Sequence, residues 1–80
     1  MSEVRQITVN AAYDNIPVII QFVGEAAQAS GLSDKEVFHC QMAVDEACTN
    51  VVEHAYGDEN LGDIDVTCSI EPGSCAIVIK

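Results

Sequence analysis

No glycine or proline interrupts residues 33–56, and Ser33-Asp34-Lys35-Glu36 opens that stretch with the pattern of a capping box. Ser33 stands where its hydroxyl can accept from the Glu36 amide, while the Glu36 carboxylate reaches back to the Ser33 amide. Val37, Cys40, Val44, Ala47 or Cys48, Val51 and Ala55 then recur at helical spacing, and Gly57 stops the run. A helix of roughly 23 residues is ~35 Å long. A chain of 80 residues does not need that length to close a core, so the helix is expected to serve as a structural spine.

The remaining segments read as a layer packed on that spine. Residues 4–10 alternate as a short strand, with Ile7 and Val9 on one face and Gln6 and Thr8 on the other. Asp14 or Asn15 is the expected N-cap of a first helix, with Pro17 tolerated in its opening turn and Gly31 as its C-cap. Ile16, Ile19, Ile20, Val23, Ala26 and Ala27 give that helix one apolar face. Residues 63–71 alternate without error: Ile64, Val66, Cys68 and Ile70 inward, Asp65, Thr67 and Ser69 outward. Pro72-Gly73 supplies a turn, and residues 76–79 a returning strand. The order strand, helix, helix, strand, strand predicts an α+β fold, two helices packed on one face of a mostly antiparallel sheet. Residues 1–80 are read as a single domain. The sequence stops at Lys80 directly after an apolar strand, so this domain is expected to be the N-terminal half of a larger, truncated one.

Charge narrows the function. Thirteen acidic groups face only Arg5, Lys35 and Lys80, giving a net charge of −10. With no basic patch, direct contact with nucleic acid or an anionic membrane surface is not expected. An acidic chain suits a basic partner, although a solvated acidic surface needs no partner at all. Met-Ser-Glu-Val-Arg has no apolar core of a secretory leader, and the four cysteines lie inside apolar patterns without a Cys-x-x-Cys pair. Cys40, Cys48, Cys68 and Cys75 are therefore read as small core hydrophobes in a cytoplasmic protein, and His39-Cys40 as helix neighbours pointing apart.

One cluster could carry chemistry. Glu46, Asn50 and His54 are four residues apart, a spacing that stacks them along one helix face. Asparagine is a mediocre helix former, so Asn50 in mid-helix asks for a reason. A solvated polar stripe is one reading. The other is hard-cation chemistry: Mg²⁺ takes one or two protein oxygens and completes its shell with water and substrate phosphates. Glu46 could then accept a proton from an attacking hydroxyl. The spacing leaves both open. Asp45 is expected to face solvent or a helix neighbour, and Thr49 has no evident role.

Residues 42–56, Met-Ala-Val-Asp-Glu-Ala-Cys-Thr-Asn-Val-Val-Glu-His-Ala-Tyr, resemble the N box of bacterial anti-sigma-factor serine kinases. That family lies in the histidine-kinase-like ATPase superfamily, which also includes gyrase. Its helix reads Ala-Val-Asp-Glu-Ala-x-x-Asn-x-x-x-His-Ala-Tyr, matched here at 43–47, Asn50 and 54–56. The resemblance implies an ATP- and Mg²⁺-dependent protein serine/threonine kinase that binds a sigma factor and phosphorylates an anti-sigma antagonist. It implies Asn50 as the magnesium and nucleotide residue, Glu46 as catalytic base, and His54 near the nucleotide. His54 equally fits a helix C-terminus, where its partial positive charge suits the dipole. A homodimer is a further family expectation. The family's Asp-x-Gly-x-Gly segment and second glycine-rich stretch do not occur here. The alternative is a catalytically inactive sigma-factor-binding module of the same fold, and these residues alone are expected to be inactive and to bind ATP weakly.

Overall fold

The computed structural model describes residues 2–55 and 62–80. The element order is β1 (Glu3–Asn10), a 3₁₀ turn (Tyr13–Asn15), α1 (Ile16–Ala29), α2 (Asp34–Asn50), a π-helical segment (Val51–Ala55), β2 (Asp63–Glu71) and β3 (Ser74–Ile79). The strands form one antiparallel sheet in the order β1-β2-β3. The expected α+β layering is what is found.

Alternation in β2 does the work foreseen for it. Ile64, Val66, Cys68 and Ile70 are all buried, and they meet Ile16, Ile19, Val23 and Ala26 of α1 with Val44 and Cys48 of α2. Ile7 faces Val66 across β1, and Ile77 faces Cys68 across β3, so both neighbours extend the same inner face. On the outer face Thr8 donates to the Asp65 carboxylate at 2.7 Å, directly opposite in register. Gly73 adopts φ 76°, the left-handed conformation the second central position of a type II turn demands after Pro72. Its amide donates to the Ser30 carbonyl at 2.7 Å, which ties the β2–β3 turn to the end of α1.

Helix ends follow their cap chemistry in two cases and depart from it in one. Both halves of the capping box form, with Glu36 N to Ser33 Oγ at 3.2 Å and Ser33 N to Glu36 Oε1 at 2.9 Å. The Ser33 amide holds the Glu36 carboxyl below its ordinary range. At the end of α1, Gly31 takes φ 84° and donates to the Gln28 carbonyl, while Leu32 donates to Ala27. That pair of bonds is a Schellman motif, with Ser30 as C-cap and Gly31 one residue beyond it. Asn15 occupies the N-cap of α1 but does not cap it. Its amide instead donates to the Asn10 carbonyl at 2.9 Å, fastening the end of β1.

The spine is continuous to Ala55, but its winding changes on the way. Regular α winding ends at Asn50, and the next five residues wind as a π-helix. Val52 is nonetheless buried in the core beside Cys48. The expected stop at Tyr56-Gly57 lies outside the described residues. None of the four cysteines is bonded to another: Cys48 and Cys68 are fully buried, Cys40 and Cys75 half-buried. Among the described residues, no helix is long and apolar enough to cross a membrane.

Candidate functional site

The position of α2 is set by two contacts, one at its start and one near its middle. The capping box fixes where it begins. Further along, Gln41 reaches across to α1 and donates from Nε2 to the Ile20 carbonyl at 3.1 Å. Gly24 makes this possible, since a Cβ at that position would stand 2.3 Å from Gln41 Nε2. With Val37, Val44 and Cys48 turned to the core, the opposite side of the helix is left to solvent.

That outer side carries Glu46 and Asn50. Both are exposed, and both line one open groove together with Met42, Asp45 and Thr49. One helical turn separates them, a rise of about 6 Å. Thr49 Oγ1 donates to Asp45 Oδ1 at 3.4 Å, so Asp45 is engaged with its neighbour along the helix. Neither the Glu46 carboxylate nor the Asn50 amide has a partner among the described residues, which leaves their hydrogen-bonding capacity to a ligand or to water. His54 falls in the π-helical segment, and its side chain lies outside the described residues. The π winding closes turns at i+5 rather than i+4. The even four-residue stacking expected of Glu46, Asn50 and His54 therefore holds between Glu46 and Asn50 and breaks after Asn50.

The donors suit a hard cation in one particular way. Among the described residues, no three His, Cys, Asp or Glu side chains gather closely enough to enclose a metal ion. Amide and carboxylate oxygens at one edge of an open groove fit Mg²⁺, which is commonly held by one or two protein oxygens while phosphates and water supply the rest. The groove has a volume of about 270 Å³, below the ~300–1,000 Å³ usual for ligand pockets. Its electrostatics are one-sided. Arg5 is paired with Glu3, Lys80 lies beside Gln6 and Thr67 on the outer face of the sheet, and Lys35 is in the first turn of α2. Lys35 is ~16 Å along the helix from Glu46, about two Debye lengths at physiological salt.

Sequence reasoning placed Glu46 and Asn50 on one helix face, where they line one groove, and missed two of their neighbours there. Thr49 is four residues from Asp45, a helical pair distance that could have been read in advance. Met42 carried no signal as a groove residue, because a lone apolar side chain off the helix's apolar stripe announces nothing by its spacing.

A helix pair over an antiparallel sheet is the arrangement of a known class. The profile of the histidine kinase-like ATPase domain matches residues 9–80, and the chain belongs to that family. Among curated proteins it is similar to the serine-protein kinase RsbW of Bacillus velezensis, 26% identical over 74 residues. The match takes in 92% of this chain and 46% of the relative, so the chain spans about half the length of the protein it resembles.

Proposed function

We propose that these residues form the base- and magnesium-bearing part of a cytoplasmic, ATP-dependent protein serine kinase acting as an anti-sigma factor, with an anti-sigma antagonist as its phosphate acceptor. The observation that carries this reading is that Glu46 and Asn50 open into one groove from successive turns of α2, with no side-chain partners of their own among the described residues. Family membership supports the nucleotide, and similarity to a serine-protein kinase supports the acceptor class.

In this reading Asn50 offers its amide oxygen to Mg²⁺, with His54 toward the nucleotide. When bound, the metal supplies positive charge against the phosphate oxygens of ATP. Glu46 is the base: its carboxylate takes the proton from the acceptor serine as the serine oxygen bonds to the γ-phosphorus and ADP leaves. Exposure leaves that carboxylate open to the acceptor serine. The capping box and the Gln41 bond fix the helix beneath both residues, so only their side-chain rotamers remain to be ordered when a substrate arrives.

These 80 residues alone are expected to be inactive, so the test is phosphate transfer from radiolabelled ATP to an acceptor protein by a full-length protein that carries them. Glu46→Gln is expected to slow transfer about 10²–10⁴-fold, the range for loss of a general base, with nucleotide binding retained. Asn50→Ala should weaken magnesium-dependent nucleotide binding at least about tenfold. Transfer at wild-type rates by both variants would refute the reading, and no transfer by the unmodified protein would favour an inactive sigma-factor-binding module.

A further inference from the structure

The face of α2 that bears Glu46 continues past the groove toward the helix N-terminus. Met42, one turn before Glu46, is 55% exposed and lines the groove; Phe38, a further turn back, is 59% exposed. These are not overflow from the core, whose contacts on this helix are made by Val37, Val44 and Cys48. Two large apolar side chains at i, i+4 spacing form a stripe leading up to a carboxylate.

We propose that Phe38 and Met42 are the docking platform for the serine-bearing segment of the protein substrate, which lies along α2 as an extended chain. The proposal rests on the kinase reading and specifies what the substrate looks like. Met42 and Phe38 are about 6 and 12 Å along the helix from Glu46. An extended chain rises about 3.3 Å per residue and returns to the same face every second residue. A serine held at Glu46 therefore places the residues two and four positions away, at about 6.6 and 13 Å, over Met42 and Phe38. Those two substrate positions are apolar. Methionine adapts to differently shaped partners, and an aromatic anchor at the far end fixes the register.

Charge decides the occupant. Asp45 and Glu46 stand on this face, and the only cation on α2 is Lys35 in the first turn. A second copy docking helix to helix would bring Asp45 and Glu46 of both copies together, whereas a neutral or basic segment meets no such repulsion.

Fluorescence anisotropy with labelled peptides tests this. The probes are Lys-Leu-Ala-Leu-Ala-Ser-Ala-Lys, its reversed sequence, and a control with both leucines replaced by alanine. One of the two leucine peptides is expected to bind about tenfold or more tighter than the control, with Met42→Ala and Phe38→Ala each weakening it about tenfold. Both side chains are exposed, so the variants should keep the wild-type far-ultraviolet circular dichroism. Equal binding of leucine and alanine peptides, or leucine-peptide binding indifferent to both substitutions, overturns the platform. So does a concentration-dependent dimer that Met42→Ala dissolves, which would make this face an interface between copies. Peptide binding that needs Met42 in a protein transferring no phosphate sinks the kinase reading alone; transfer to a protein acceptor unaffected by Met42→Ala and Phe38→Ala sinks the platform alone.

Discussion

At the scale of single residues, the chemistry divides by which way a side chain points from its element. Cys68 points inward from β2; burial, with the Cys75 thiol beside it, pushes its pKa up to about 11. Burial likewise raises Cys48. A raised folded-state pKa means that the folded chain holds its proton where the unfolded chain has begun to lose it. The stability this contributes is fully present below about pH 9, the unfolded thiol's range, and drains away as pH rises toward 11. Urea midpoints measured across that interval should fall for the wild type and fall less for Cys68→Val, which keeps an apolar side chain in the strand. The same burial makes Cys68 a poor nucleophile, and iodoacetamide at pH 8 should label it only after denaturation. Glu46 and Asn50 point outward and meet no such burial, which is why they remain available to a ligand.

At the scale of elements, the contact between α1 and α2 gives the clearest quantitative test. Replacing Gly24 by alanine gains about 1 kcal/mol of helix propensity. It also drives the Gln41 amide from the Ile20 carbonyl, losing a hydrogen bond worth about 0.5–1.5 kcal/mol. The two effects are similar in size, so Gly24→Ala alone should change stability little. In a Gln41→Ala background the same substitution has nothing to displace and should stabilise by about 1 kcal/mol. A double-mutant cycle by chemical denaturation reads the difference directly. This contact also marks the limit of what the sequence reveals. Where a signal is local, it was legible: the alternation of residues 63–71, the capping box, and the Pro72-Gly73 turn each carry their instruction within a few residues. Glu46 and Asn50 were legible for the same reason, since both lie on one helix and their spacing alone aligns them. Gly24 and Gln41 meet only once two helices pack, and nothing near either in sequence announces the other. Asn15 misled because its amide had two possible uses, and fastening β1 won over capping α1. The π winding after Asn50 was illegible too, since the apolar spacing there fits an α-helix nearly as well.

At the scale of the whole molecule, charge and shape set what the chain can hold unaided. A net charge of −10, no cation within ~16 Å of Glu46 along α2, and a groove of about 270 Å³ leave a nucleotide little to bind besides the metal it brings. Isothermal titration of these 80 residues with Mg-ATP is expected to give a dissociation constant weaker than micromolar. Micromolar affinity would mean that groups outside this groove hold the phosphates. The sheet has a consequence of a different kind. Its middle strand, β2, is the one both others pair with, and among the described residues β1 finds its partner only there, Glu3 opposite Ile70 and Asn10 opposite Asp63. During synthesis β1 leaves the ribosome before β2 and must wait, unpaired with it, until β2 has followed. The helices can wind from local contacts in the meantime, so assembly of this stretch runs outward from its helices and β1 is among the last of its elements to settle.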